Sequence, residues 1–443
     1  MKHIDFIIDK FRDNLKEEAI IWNNESYNYD YLLKKYRFWE EYLISNIEKG
    51  AVVAVQADYN PDSVTLILAL IENQNIFVPF SPLNKDVEKK IEISEAEYFI
   101  KFESKSYQLV HTGTKSAHYL TTNLQEIQHP GIIIFSSGST GEPKAAIHDF
   151  TKLLAKFKIE RIPLRTINFL LFDHWGGLNT LLHIFSNAGV VGVINERTPK
   201  SICEFIQKHK IELLPTTPTF INLLMMSRVH EDFDLSSLKI VSYGTESMPE
   251  STLKAFHKHY PNIKLKQTYG LTELGVMRTK SKSSESLWVK VGGEDYKTKV
   301  VDNTLFIKAT STILGYLNAE SPYDKDGWYN TGDKVEQDGE WLKFLGRDSD
   351  IINVGGQKVY PAEVESVILE MENISEVAVF GKDNPIIGKI VVARINIKED
   401  ESLNDLKKRI RIFCKTKLES FKIPIQIEIA SESQVTDRFK KIR

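Results

Sequence analysis

The sequence contains only two cysteines, Cys203 and Cys414, in 443 residues. They lie far apart, and neither has a histidine or cysteine at the spacing of metal ligands. The pattern therefore indicates neither a disulfide framework nor a cysteine-based zinc site. We expect reduced thiols and a cytoplasmic protein.

Long apolar runs and strong charge are also lacking. The longest apolar stretch, near Val64–Ile71, is too short to span a bilayer, and residues 1–22 interleave charges with apolar side chains, unlike a signal peptide. The net charge of −3 gives no reason to expect nucleic acid or an anionic membrane as partner. At this length a single hydrophobic core no longer suffices, so we expect a two-domain enzyme.

The order of apolar segments predicts the fold. Short apolar strands alternate with helical patterns, such as Pro61–Asn73, which is typical of parallel α/β architecture. Residues 283–310 change to close alternation, which indicates a small antiparallel barrel, and a compact unit begins near Asp348. The predicted fold is thus α/β: a large N-terminal domain (residues 1–346) of doubly wound sheets plus a small β-barrel, then a small mobile α+β C-terminal domain (residues 347–443).

The segment Ile132–Lys144, IIIFSSGSTGEPK, has the composition of a phosphate-binding loop. A β-branched run ends in a loop where glycine allows close backbone approach, hydroxyls can donate to oxyanions and Lys144 adds charge. It is not a Walker loop, because Pro143 and Ala145 stand where that motif needs glycine and a hydroxyl. A Ser/Gly-rich surface turn is the alternative. The predicted phosphate-binding residues are Ser136, Ser137, Gly138, Ser139, Thr140 and Gly141.

Three more segments follow in order: QTYGLTE at 267–273, GWYNTGD at 327–333 and GRDSDIINVGGQKVYPAEVE at 346–365. With these four motifs, over nearly its whole length, the chain resembles the adenylate-forming superfamily of acyl- and aryl-CoA synthetases, peptide-synthetase adenylation domains and luciferases. It is most similar to the acid–thiol ligases. The resemblance implies ATP and Mg²⁺ as cofactors.

The resemblance also implies nucleotide-binding roles. Asp333 would bind the ribose hydroxyls with help from Arg347, and Thr272 and Glu273 would reach the α-phosphate and its Mg²⁺. Taken alone, Asp333 can be a turn residue and Glu273 a helix cap. The remaining residues assigned in this way are Tyr269, Gly244 and Thr245 around the adenine and Lys144 as a catalytic cation.

The acid pocket is predicted from the stretch LLFDHWGGLNTLL. His174 aligns with a histidine at the mouth of the acid pocket of acyl- and aryl-CoA synthetases, although a structural role for a lone histidine is equally open. Asp173 is a weak candidate for binding an amine. The other candidates for the pocket are Trp175, Tyr243 and Gly270, with Thr217, Phe220 and Met277 as either pocket or core residues.

The C-terminal tail, VTDRFKKIR, aligns with the family's tail so that Lys440 is the catalytic lysine, which stabilises charge during adenylation. Phe439 departs from the usual glycine, and Lys441 leaves the register open by one. A frayed basic tail is the alternative. In the family the small domain then rotates about the GRDSD hinge, where Ser349 is unusual, and presents Gly355 and Gly356 to the thiol.

The predicted function is ATP-dependent activation of a carboxylic acid to an acyl-adenylate with release of pyrophosphate, followed by transfer to CoA or a carrier-protein phosphopantetheine. A basic helix face in Leu403–Phe421 can meet either acceptor or only solvent. The alternatives are an adenylate-forming enzyme with an amine or oxygen acceptor, and a nucleotide-binding paralogue without turnover.

Overall fold

A computed structural model describes residues 2–103, 106–137, 142–293, 295–432, 434–436 and 441. Within these ranges the α-helices are α1 Asp5–Asp13, α2 Tyr29–Asn46, α3 Pro61–Glu72, α4 Val87–Ile93, α5 Tyr119–Glu126, α6 Phe150–Leu154, α7 Trp175–Phe185, α8 Pro199–His209, α9 Pro218–Ser227, α10 Glu250–His259, α11 Pro361–Ile368 and α12 Leu403–Lys415. The predicted helix at Pro61 is α3. It begins there because the Asn60 side chain accepts bonds from the first free backbone amides.

The described strands are, in chain order, β1 Glu18–Trp22, β2 Glu25–Asn28, β3 Val52–Gln56, β4 Ile76–Phe80, β5 Tyr98–Phe102, β6 Tyr107–His111, β7 Gly131–Ser137, β8 Pro143–Asp149, β9 Arg165–Ile167, β10 Val190–Gly192, β11 Leu213–Thr216, β12 Ile240–Tyr243, β13 Lys264–Gln267, β14 Gly270–Leu271, β15 Gly275–Val276, β16 Thr279–Ser281, β17 Trp288–Val291, β18 Tyr296–Val301, β19 Thr304–Ala309, β20 Gly315–Tyr316, β21 Tyr329–Asp338, β22 Trp341–Arg347, β23 Ile352–Val354, β24 Gln357–Val359, β25 Ile374–Asn384, β26 Gly388–Ile397 and β27 Gln426–Ile429.

Two seven-stranded sheets form the centre of the N-terminal part. The first has the order β13-β12-β11-β9-β10-β1-β2, and all its neighbours are parallel except β1 and β2. The second has the order β20-β8-β7-β4-β3-β5-β6, with β7, β4, β3 and β5 parallel. In the second sheet the central strands β3 and β4 are buried almost throughout, as expected for strands covered on both faces. The predicted doubly wound architecture is confirmed.

A six-stranded antiparallel sheet, β16-β17-β22-β21-β19-β18, follows in the chain. It includes the strands predicted within residues 283–310 and adds β21 and β22, which lie beyond that window. The pairing of β21 with β22 places Asp333 opposite Arg347. The sheet thereby brings together two residues from separate sequence motifs.

The last part of the chain has its own sheet and core. Strands β24-β23-β26-β25 are joined by β27, which pairs with β26 in parallel. Helix α12 buries Leu406, Ile410 and Cys414 on one face, as its amphipathic pattern predicts, whereas Leu403 is 38% exposed. The helix ends at Lys415, before the end of the predicted segment Leu403–Phe421. The α+β prediction is confirmed, and a domain boundary at residues 346/347 stays a prediction.

Across the ranges that the structure covers, none of the helices has both the length and the apolar character needed to cross a membrane.

Candidate active site

The carboxylate of Asp333 is held by two side chains. Its Oδ2 accepts a hydrogen bond from the Tyr269 hydroxyl, and its Oδ1 lies 3.4 Å from Nε of Arg347. The Asp333 side chain is 11% exposed and that of Arg347 is 56% exposed. Burial raises the pKa of Asp333, and the charge of Arg347 opposes this shift. Asp333 also takes part in a turn, as the alternative interpretation predicted, because its amide donates to Thr331 Oγ1. Its carboxylate, however, is part of a polar cluster with Tyr269 and Arg347.

The ring of Tyr269 stacks on Phe344, with centroids 4.5 Å apart and planes at 24°. Phe344 comes from β22, three residues before Arg347. The predicted adenine platform is therefore a pair of stacked rings, an arrangement that suits a third flat ring system. The sequence analysis missed Phe344, although its place on the strand leading into GRDSD was a usable signal.

Glu273 is buried and lies in the turn between β14 and β15, so it does not cap a helix. The Tyr316 hydroxyl donates to its Oε1 at 2.6 Å. Burial and the charge of Glu273 raise the pKa of both Tyr316 and Tyr329. The two tyrosines were missed, although Tyr329 directly precedes the NTGD segment. Their surroundings keep both phenols protonated and able to donate.

Strands β7 and β8 lead into and out of the predicted phosphate loop. Ser136 lies opposite Lys144 in their register. Ser137 closes β7, whereas Gly138, Ser139, Thr140 and Gly141 lie outside the described residues. The Lys144 ammonium lies 5.5 Å from the centroid of the Tyr316 ring. The structure thus brings Lys144 beside the Glu273 cluster.

Asn318 fixes the strand that carries Lys144. Its amide accepts from the Ala145 N–H at 3.0 Å and donates to the Pro143 carbonyl at 2.9 Å. These bonds supplement the antiparallel pairing of β20 with β8. Asn318 was also missed by the sequence analysis, which assigned no role to the segment GYLN.

The side chain of His148 forms a hydrogen bond with the backbone of Thr272. Its Nε2 lies 2.7 Å from the Thr272 carbonyl oxygen, and because that oxygen can only accept, Nε2 carries the hydrogen. Burial lowers the pKa of His148 to about 4, so the ring is neutral. The ring of Trp175 lies 5.5 Å from it. This histidine therefore positions the backbone of the turn at residues 272–275, TELG.

Three of the predicted acid-binding residues, His174, Trp175 and Gly270, lie at the start of α7 and on the β14–β15 hairpin. His174 Nδ1 accepts from the Gly176 amide at 3.0 Å and caps α7, which is the structural role left open above. Trp175 is 7% exposed, and Gly270 pairs with Val276 across the β14–β15 hairpin. A Cβ at Gly270 would lie 2.8 Å from the Gly275 carbonyl oxygen, so the close approach requires glycine here.

The other candidate site residues differ in their exposure to solvent. Tyr243 ends β12 with 2% exposure, and Gly244 follows it against Thr268. Thr245 is exposed with a positive φ of 74°. Asp173 Oδ2 accepts from Ser81 and Asn84 at 3.2 Å each. Phe220, Thr217 and Met277 are buried.

Of the two tail lysines, Lys441 lies among the described residues and Lys440 does not. Lys440 lies outside the described residues, as does Phe439. The Lys441 ammonium lies 2.8 Å from Oε2 of Glu365, whose side chain is 1% exposed, and Oε1 of Glu365 accepts from the Val379 amide. Lys441 is thus engaged in a buried ion pair, which favours the alignment that assigns catalysis to its neighbour.

The hinge segment is tied to the six-stranded sheet. Lys334 is buried, donates to Thr304 Oγ1 at 2.7 Å and lies 3.2 Å from Oδ1 of Asp348. Ser349 donates to Asp350 at 3.0 Å. Lys334 therefore links the start of the hinge to the N-terminal part.

One face of the C-terminal unit contacts the N-terminal part, whereas the turn of the β23–β24 hairpin in the same unit is exposed to solvent. Ser366 Oγ accepts from the Ser251 amide at 3.3 Å, and the Ser375 carbonyl accepts from Asn222 at 3.2 Å. Gly355 and Gly356 are exposed, and a Cβ at either would meet nothing within 4 Å. In this arrangement Gly355 and Gly356, which the resemblance presents to the thiol, do not pack against Glu273 and its tyrosine neighbours.

The described donor set fits a weakly held magnesium ion. Among the residues with described positions there is no group of three or more His, Cys, Asp or Glu side chains that could hold a metal. Glu273 offers a hard oxygen donor of the kind Mg²⁺ takes together with phosphate oxygens and water. A site of this kind therefore depends on a bound polyphosphate.

Comparison with known proteins agrees with this geometry. Residues 10–304 match the family of AMP-binding enzymes, and residues 363–440 match the AMP-binding enzyme C-terminal domain. Indoleacetate–CoA ligase of Aromatoleum aromaticum is 28% identical over 305 residues, which are 62% of this chain and 59% of that protein. The chain spans about three fifths of the length of the curated relatives it matches.

Solved structures share the fold. An anthranilate–CoA ligase bound to anthranoyl-AMP superposes with a TM-score of 0.85 at 17% identity, covering 100% of this chain and 96% of the other. An amide bond synthetase from Marinactinospora thermotolerans gives 0.76 at 18% identity, covering 98% and 97%. From the family match over two thirds of its length, the chain belongs to the AMP-binding enzymes.

Proposed function

We propose that this protein activates a carboxylic acid with ATP, forming an acyl-adenylate and pyrophosphate, and then transfers the acyl group to a thiol of CoA or of a carrier-protein phosphopantetheine. One observation carries the proposal. Residues 269–273 and 329–333 lie side by side, with Tyr269 bonded to Asp333 at one end and Tyr329 next to Glu273 at the other. These contacts support the proposal that Asp333 binds the ribose and Glu273 lies at the phosphates, at the two ends of one site.

In the first half-reaction an oxygen of the substrate carboxylate attacks the α-phosphorus of ATP. The bond to the bridging oxygen breaks, and its electron pair leaves with pyrophosphate. Asp333 and Arg347 hold the ribose, and Lys144 offsets phosphate charge near Glu273. Glu273 would hold a Mg²⁺ ion together with phosphate oxygens, and the ion would supply further charge neutralisation. Lys440 is proposed to stabilise the transition state.

In the second half-reaction a thiol attacks the acyl carbon, a thioester forms and AMP leaves with the electron pair of the broken anhydride bond. We propose that the C-terminal domain, residues 347–443, rotates about Asp348–Asp350 between the two steps. The exposed Gly355–Gly356 turn supports this, since its tip is accessible to a new contact. An amine or oxygen acceptor would differ only in this second step.

The test is product analysis with a panel of fatty, aryl and amino acids. ATP and the cognate acid should give AMP and pyrophosphate, and adding CoA or a phosphopantetheinylated carrier protein should give a thioester. Formation of ADP and phosphate would contradict adenylation. Adenylate that forms but reacts only with amines would favour the alternative acceptor, and binding of ATP without any turnover would favour the non-catalytic paralogue.

A further inference from the structure

Lys156 bridges α7 and the β14–β15 hairpin, the two elements that carry the predicted acid-binding residues Trp175 and Gly270. It is the second residue of the short 3₁₀ helix Ala155–Lys158, which follows α6. Its ammonium donates to the Val276 carbonyl at 2.7 Å and to Asn179 Oδ1. Val276 pairs with Gly270 on the β14–β15 hairpin, and Asn179 lies on α7. The amine thus lies between the helix that begins at Trp175 and the hairpin that begins at Gly270.

A row of polar groups on α7 shares this position. Trp175, Asn179 and His183 are spaced four residues apart and so lie on one face of the helix. That face meets β15, because a Cβ at Gly275 would lie 2.6 Å from Nε1 of Trp175. The Nε1 hydrogen of Trp175 has no acceptor among the described residues, although the side chain is 93% buried. A buried indole N–H ordinarily finds a partner.

The charges around this row are of one sign. Burial and the charge of Arg278 lower the pKa of Lys156 to about 7, and burial with the charges of Lys266, Lys156 and Arg161 lowers the pKa of His183 to about 4. Within the part of the chain that the structure describes, none of the side chains of Lys156, Arg278, Lys266 and Arg161 forms an ion pair with a carboxylate, and His183 is neutral near pH 7. Lys156 has two neutral acceptors for its three N–H donors. An anion at this position would relieve an unfavourable accumulation of charge.

We infer that Lys156 and the Trp175–Asn179–His183 face of α7 bind a second carboxylate of the acid substrate, so that the enzyme selects dicarboxylic acids over the matching monocarboxylic acids. The inference rests on the proposed function. The first carboxylate is adenylated near Glu273. The second accepts from the Lys156 ammonium and the Trp175 indole N–H.

The experiment compares matched pairs of acids: hexanoate with hexanedioate, and 4-phenylbutanoate with 4-(2-carboxyphenyl)butanoate. Pyrophosphate release gives kcat/KM for each acid, and the diacid-to-monoacid ratio is the readout. The wild type should favour the diacid at least tenfold in one pair. Lys156→Met should lower that ratio at least tenfold, chiefly through KM for the diacid. Lys152→Met, an exposed lysine one turn earlier, should match the wild type.

Trp175→Phe is the second variant, since it removes the N–H but keeps an aromatic ring, and it should also lower the ratio. A wild type that favours the monoacid in both pairs overturns the inference, whatever the variants do. Equal loss for both members of a pair in Lys156→Met and Trp175→Phe shows that these residues only join α7 to the hairpin. Absence of pyrophosphate with every acid contradicts the proposed function itself, and this inference with it.

Discussion

The Tyr316 hydroxyl donates a 2.6 Å hydrogen bond to Oε1 of Glu273, and thereby connects β20, which pairs with the phosphate-loop strand β8, to the YGLTE segment. The bond joins a motif residue, Glu273, to a residue 43 positions further along the chain that lies outside the motifs. The carboxylate is oriented before any phosphate or metal arrives. Such preorganisation is what a polar active site requires.

Tyr316→Phe should therefore slow adenylation and raise the Mg²⁺ concentration needed for half-maximal rate. A hydrogen bond to a charged group contributes about 1.5–3 kcal/mol, which corresponds to a 10- to 100-fold effect. Pyrophosphate exchange as a function of Mg²⁺ measures both. Tyr323→Phe is the matched control, because that hydroxyl donates to the Ile313 carbonyl instead. An unchanged Mg²⁺ dependence in Tyr316→Phe would show that the tyrosine only packs.

Asp333→Asn should weaken ATP binding by about 1.5–3 kcal/mol, the range for losing a charged hydrogen-bond partner. The effect on stability should be opposite. Since burial raises the pKa of Asp333, the fold disfavours the charged form relative to the unfolded chain, and a neutral amide removes that cost at pH 7. The Tm should stay equal or rise. Calorimetric ATP titration and thermal unfolding check both, with exposed Asp338→Asn on the same strand as control.

Lys440→Ala and Lys441→Ala should separate catalysis from stability. The first should cut adenylation about 10²- to 10³-fold, the loss typical of one transition-state charge, while chemically made acyl-adenylate still passes to the thiol. The second removes the ammonium that lies 2.8 Å from the buried Glu365 carboxylate and should destabilise the C-terminal unit by about 3 kcal/mol.

Half-reaction rates and urea unfolding measure these two effects separately. The reverse pattern, with Lys441→Ala abolishing adenylation and Lys440→Ala sparing it, would mean that the tail alignment is wrong by one residue. Full activity in both variants would remove the tail from the catalytic machinery.

His148→Gln should flatten the acid dependence of stability. Because the pKa of His148 falls from its ordinary value of 6.5 to about 4 on folding, the unfolded chain binds the extra proton between these values, and stability is lost as pH falls through this window. The loss is about 1.4 kcal/mol per pH unit.

Glutamine keeps an N–H that can donate to the Thr272 carbonyl but does not titrate. Urea unfolding at pH 6.5 and 5.5 should thus show a smaller decrease for His148→Gln than for the wild type. The decrease should be unchanged in His259→Gln, which alters an exposed histidine. An identical decrease in all three proteins would contradict the assignment.

The sequence alone determined the fold class and the order of the motifs. Alternation of short apolar strands with helices specifies parallel sheets because each strand must be buried on both faces, and α3 lies where that pattern predicts a helix. The four motifs likewise marked Asp333, Glu273 and Gly270, through their resemblance to the adenylate-forming superfamily.

Only the tertiary structure decided which side chains meet. Phe344, Tyr316, His148 and Lys156 lie outside the motifs, and each reaches the site from a different strand or turn. Likewise, nothing local distinguishes Lys441 from its neighbour, but the pairing with Glu365 across 76 residues does. Contacts at such separations depend on strand register and helix packing, which the linear pattern of apolar residues does not encode one pair at a time.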